Sequence, residues 1–151
     1  HPPLRRQRQM CIRDRYCADI SRAFVCGNKF NEHQKKIYST AVEQIDYNSR
    51  LIKDGVSFRE FTEKAWILPE KYYGNRYSVM LHGIGLCDEW PAIRYPTDGG
   101  ERSGIFQKNM TITLESYIGE VGGHEGVKLE QQYLVGENGL ELMSHHPLEQ
   151  I

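Results

Sequence analysis

Four side chains stand where a charge or an imidazole is costly unless it is put to use. Asp19 lies between Ala18 and Ile20, His82 between Leu81 and Gly83, Glu115 directly after Leu114, and Glu130 directly after Leu129. Each sits in a run that otherwise reads as buried strand, where a carboxylate must be paired, ligated or turned to solvent. Alternation on a sheet with one wet face accounts for any one of them taken singly. Together, three carboxylates and one imidazole borne by strands suit a centre for one or two divalent ions, of iron, manganese, zinc or cobalt. Carboxylates can bridge two ions about 3.5–4 Å apart, which a lone imidazole cannot do.

The elements that must position these groups follow from periodicity. Residues 17–26 read as a strand by alternation. Asn31 offers a helix N-cap, and Ile37, Ala41 and Ile45 recur at helical spacing in a segment that ends at Gly55. Ser57 caps a second helix carrying Phe58, Phe61, Ala65 and Trp66, stopped by Pro69. A turn-rich patch precedes a strand over 77–86 that runs into glycines, and a polar loop with Pro96, Gly99, Gly100 and Gly104 follows. Strands are predicted over 110–119, 126–135 and 140–144, the last two joined as a hairpin through Glu137-Asn138-Gly139. A strand, two helices and then mainly antiparallel strands predict an α+β fold, with helices on one side of a curved sheet.

The 151 residues fit one domain able to bury a core, and no apolar run approaches the roughly 18 residues that cross a bilayer. No signal-peptide pattern opens the chain. A net charge of -1 gives no global argument for nucleic acid or an anionic membrane as partner. The charge is uneven: residues 1–15 hold five arginines and a single acid, Asp14. Such a tail could be a nucleic-acid or membrane arm. Its lack of periodicity, and a Met10–Arg15 stretch that looks like a translated sequencing adapter, read instead as non-native or disordered sequence, leaving 16–151 as the folded part. The four cysteines show neither C-x-x-C nor framework spacing, so reduced thiols in a cytoplasmic protein are expected.

The order of motifs carries a resemblance. Ala18-Asp19-Ile20-Ser21-Arg22 resembles the aspartate strand of the pita-bread superfamily (creatinase, prolidase and methionine aminopeptidase), commonly Asp-x-Thr-Arg. His82-Gly83-Ile84-Gly85-Leu86 resembles its histidine–glycine turn. Residues 110–116 and 126–130 resemble the strands that bear its two glutamates. The resemblance spans residues 16–151. It implies a pita-bread fold that is incomplete at the N-terminus, with Asp19, His82, Glu115 and Glu130 as metal ligands and Gly83 and Gly85 letting backbone pass close to the metals. It also implies a homodimer when full-length. A further aspartate expected about a dozen residues before Asp19 is absent: that stretch is Gln7-Arg8-Gln9.

Two departures bear on the chemistry. Xaa-Pro peptidases of the superfamily show a second histidine seven residues after the metal histidine and a proline after the first glutamate; here those positions are Glu89 and Ser116. The stretches 76–91, 114–123 and 125–135 resemble instead the superfamily's dimethylsulfoniopropionate lyase branch. That likeness implies Asp88 as catalytic base, Tyr77 in the pocket of a small-molecule substrate, and β-elimination to dimethyl sulfide and acrylate. An Xaa-Pro aminopeptidase-like metallohydrolase, or an inactive binding module, are the alternatives. His124, His145 and His146 are expected to be solvated.

Overall fold

The computed structural model describes residues 11–13, 15–27, 29–86, 88–99 and 103–148. The expectation that residues 1–15 stand apart from the fold thus falls largely outside the described residues. Two short strands, β1 (Cys11–Arg13) and β2 (Tyr16–Cys17), pair antiparallel.

Helix α1 (Glu32–Ser49) begins where the sequence places it. The Asn31 side chain accepts from Gln34 N at 2.8 Å while Gln34 Oε1 accepts from Asn31 N at 3.0 Å, a reciprocal capping box. The helix ends at Ser49 rather than Gly55; tight turns through Leu51 and Ile52 complete the segment. Helix α2 (Phe58–Lys64) takes its cap from Ser57, and a one-turn helix α3 (Glu70–Tyr73) occupies the patch read as turns. Ala65 and Trp66 lie beyond α2 because Asn48 Oδ1 captures the Trp66 N–H at 2.8 Å.

The sheet is open and antiparallel, in the order β4 (Asp88–Arg94), β3 (Val79–Ile84), β5 (Thr111–Gly119), β6 (Gly126–Val135), β7 (Leu140–Leu142). Helix α1 packs on β5 and β6. One core joins Ile37, Ala41 and Ile45 of α1 and Phe61 of α2 to Leu81, Leu114 and Leu129 of the sheet. This is the α+β architecture expected.

Two further segments differ from the sequence reading. β4 replaces part of the polar loop; Pro91 obscured it, yet β4 is an edge strand, where a missing donor costs no ladder bond. Residues 17–26 make no continuous strand. Beyond β2 they run extended along β6 and meet it in one bridge, Ser21 to Glu130, because β7 takes the outer edge of β6 from Tyr133 to Val135.

Candidate metal centre

Register decides which side chains meet. Leu81, Leu114 and Gln131 lie side by side across β3, β5 and β6, and the next row is His82, Thr113 and Gln132. Since neighbours along a strand face opposite ways, His82 and Thr113 share one face with Glu115, its partner Glu130, and Lys128 two residues earlier. The extended segment delivers Asp19 to the same place, its N–H directed at Gln132 Oε1 at 3.3 Å.

The four predicted ligands converge. His82 Nε2 is 3.3 Å from Glu115 Oε1 and 3.7 Å from Asp19 Oδ2. Lys128 Nζ lies 2.9 Å from Glu115 Oε2 and 2.8 Å from Glu130 Oε1, joining the two carboxylates. Ser21 Oγ donates to Glu130 Oε2. Arg22 holds the segment in register through neutral oxygens: its guanidinium donates to the carbonyls of Ser21, Glu130, His146 and Pro147 and to Gln131 Oε1. Burial therefore lowers its pKa.

The electrostatics follow from crowding three acids into a dry site. Burial opposes a charge on His82, but the hydrogen bond to Glu115, the Gly83 carbonyl, and the charges of Glu115 and Asp19 outweigh it and raise its pKa to about 9. The contact from Nδ1 to the Gly83 carbonyl, 3.0 Å, turns Nε2 toward the acids. Burial also resists ionisation of Glu130; Glu115, Lys128 and Ser21 overcome it and bring the carboxyl to about 2. Glu115 moves the other way, raised by burial first and by its contact with Glu130, against the pull of His82 and Lys128.

The donor set suits a divalent ion in the class of manganese, iron, cobalt or zinc. Thr113 Oγ1 is buried without a hydrogen-bond partner among the described residues, on the face where the ligands meet. The Lys128 ammonium answers Glu115 Oε2 at 2.9 Å. Among the described residues no group of three or more His, Cys, Asp or Glu side chains is arranged to hold a metal ion; Glu115 contacts His82 and Lys128, and Glu130 contacts Lys128.

Residues 9–137 match metallopeptidase family M24. The chain belongs to that family. It is 34% identical over 137 residues to the dimethylsulfoniopropionate lyases DddP of Roseobacter denitrificans and Roseovarius nubinhibens, covering 88% of this chain. The prolidase of Pyrococcus horikoshii superposes with a TM-score of 0.75 at 28% identity, over 91% of this chain and 38% of that one. The chain spans 30% of the length of the two lyases. M24 enzymes depend on divalent metals, and the pita-bread likeness holds across the described sheet and helices.

The remaining predicted residues are placed as follows. Tyr77 lies at the rim, 36% exposed, its ring 4.2 Å from Lys128 Nζ. Burial, then Glu115 and Glu89, raises its phenol pKa. Asp88 opens β4 opposite Ile84; its side chain lies outside the described residues. Gly83 serves strand packing: a Cβ there would lie 2.2 Å from the Trp90 carbonyl of β4. Gly85 has ordinary room, with Thr111 Oγ1 at 3.6 Å. Ser116 faces away from the acids and donates to Gln44 Oε1 of α1 at 2.7 Å, so its difference from the peptidase pattern is one of packing. His124, His145 and His146 are exposed, and Cys17 and Cys26 are thiols. Sequence reasoning passed over Lys128, Thr113, Ser21 and Arg22. For Lys128 the signal was present, since its spacing of two from Glu130 puts both on one face.

Proposed function

We propose that this chain carries the catalytic centre of a metal-dependent lyase that splits dimethylsulfoniopropionate into dimethyl sulfide and acrylate. The observation that carries the reading is the 34% identity to two such lyases over 137 residues. Glu89 supports it, standing exposed at the position where an Xaa-Pro peptidase places its second histidine.

Asp19, His82, Glu115 and Glu130 would hold the ion, whose positive charge stabilises the charge developing on the substrate carboxylate. Asp88 takes the proton from the carbon next to that carboxylate. The carbon–sulfur bond then breaks with its electron pair leaving on sulfur, so a sulfonium departs as neutral dimethyl sulfide and a carbon–carbon double bond remains. The Tyr77 ring already faces an ammonium at 4.2 Å. The same face suits a sulfonium, an attraction of about 0.5–2 kcal/mol, and the exposed Trp90 offers another. On this reading the full-length protein is a cytoplasmic homodimer acting on a small molecule rather than on nucleic acid or a membrane. The net charge of -1 agrees with that.

The test is release of dimethyl sulfide by the full-length protein carrying this chain, supplied in turn with iron, manganese, zinc and cobalt. Equal amounts of dimethyl sulfide and acrylate are expected. Asp88→Ala should lower the rate at least about 100-fold, the usual worth of a positioned base. A protein that hydrolyses Xaa-Pro dipeptides and yields no dimethyl sulfide would establish the second reading, a metallohydrolase. The superposition on a prolidase favours that alternative.

A further inference from the structure

Strand β4 carries a cation to the acidic face that the acids leave unused. Arg94 stands between Ile93 and Tyr95, both buried in the core on the helix side, so its side chain leaves the sheet on the opposite face. It pairs across the strands with Val79, while Ala92, the previous outward residue of β4, pairs with His82. Arg94 thus stands one outward position, about 7 Å along the strand, from the residue beside that histidine. Its half-buried guanidinium has one hydrogen-bond partner among the described residues, the Ser78 hydroxyl, which accepts from Nη1 at 2.6 Å. The two other half-buried guanidiniums among the described residues are fully engaged, Arg22 by four carbonyls and the Gln131 side chain, Arg76 by Asp98, Thr97 and the Tyr73 carbonyl. Arg94 meets no carboxylate among the described residues, although three stand on its face. His82, Lys128 and Ser21 engage those three, and β3 separates β4 from the strands that carry the two glutamates.

We propose that Arg94, oriented by Ser78, is a subsite that grips the carboxylate of a small organic acid bound on this face. A guanidinium offers five N–H donors in a planar fork, and Ser78 takes one of them. A carboxylate meets such a fork with two parallel hydrogen bonds. On a face with three acids, an anion needs a cation that those acids have not already engaged. The inference deepens the lyase reading and rests on it for the identity of the acid, a carboxylate that also bears a sulfonium. Arg94 takes the carboxylate end and leaves the sulfonium to the Tyr77 ring. As the proton beside the carboxylate leaves, negative charge grows on its oxygens, and a fixed guanidinium favours that charge over the ground state.

The experiment is calorimetric titration of the full-length protein carrying this chain, freed of metal, with propionate. Saturable binding is expected. Arg94→Met should weaken it at least about tenfold, the worth of a charge-assisted hydrogen bond. Arg94→Lys should lose affinity too, because an ammonium cannot reproduce the fork. Trimethylsulfonium, a sulfonium without a carboxylate, should bind the unaltered protein and both variants alike, which reports that they are folded. No propionate binding by the unaltered protein overturns the proposal, and so does a folded variant of either kind that binds propionate as the unaltered protein does. Turnover separates the two readings. Propionate binding that depends on Arg94, with no dimethyl sulfide released by the metal-loaded protein, leaves the subsite standing and sinks the lyase reading. Dimethyl sulfide release with KM and kcat unchanged in Arg94→Met does the reverse.

Discussion

The two faces of strand β5 are built from adjacent residues and finished in opposite ways. On the helix side, Leu114 and Ile118 pack into the core, and the polar Ser116 joins a neutral chain: its hydroxyl donates to Gln44, whose amide donates to the Tyr95 hydroxyl at 2.7 Å. On the other side Thr113 and Glu115 meet His82, Glu130 and Lys128, where charges answer charges and the buried Thr113 hydroxyl has no hydrogen-bond partner among the described residues. The helix face of β5 is finished by that neutral chain, although Asn48 Nδ2 and Tyr72 Oη elsewhere in the helix layer also lack a hydrogen-bond partner among the described residues. The acidic face crowds three acids around one imidazole and one ammonium and leaves the buried Thr113 hydroxyl unpartnered among the described residues, which is what a ligand site looks like before its ligand arrives. A protein gains stability from the first kind of surface and chemistry from the second.

The comparison can be broken most forcefully on the helix side. Leu114 is fully buried, and Leu114→Ala should cost about 2–5 kcal/mol of stability, measured by denaturant unfolding. Manganese affinity of the fraction still folded should hardly change, because the leucine points away from the acids. A large loss of affinity in the folded fraction would mean the two faces are coupled through the strand. Next in size is Ser116→Ala, which leaves Gln44 Oε1 buried without its donor and should cost about 1–3 kcal/mol. A neutral result would show that water can complete that chain, and that the helix face is less finished than its bonding suggests.

The same contrast explains what could be read from the sequence. Asp19, His82, Glu115 and Glu130 were visible because a charge inside an apolar run breaks a pattern, and the pattern is local. The helix over residues 32–49 was visible because Asn31, Ile37, Ala41 and Ile45 speak for themselves at fixed spacing. Strand β4 was hidden because Pro91 and the Asp88-Glu89 pair contradict a strand, and only its place at the sheet edge makes them tolerable. Residues 17–26 alternate as a strand should, yet ladder bonds need a free edge, and β7 already pairs with part of that edge. Lys128 escaped notice for a different reason. A lysine in a strand reads as solvated; its spacing of two put it on the face of Glu130, but the register of β5 against β6 is what brings Glu115 beside it as well.

The smallest expected effect is also the sharpest test of the contrast. Thr113→Val exchanges a hydroxyl for a methyl of nearly the same shape at a fully buried position. At an ordinary core site such a change leaves a hydrogen-bond partner stranded and destabilises. Here Oγ1 has no partner to strand among the described residues, and burying it unsatisfied already carries a penalty. Stability should therefore hold or rise by up to about 1 kcal/mol, while manganese affinity falls about tenfold or more as the polar surroundings of the ligands are lost. Opposite signs from one substitution would separate a group kept for binding from one kept for folding. A fall in stability beyond about 1 kcal/mol would show that the hydroxyl is satisfied in the folded protein, and the acidic face would then be as complete as the one packed under helix α1.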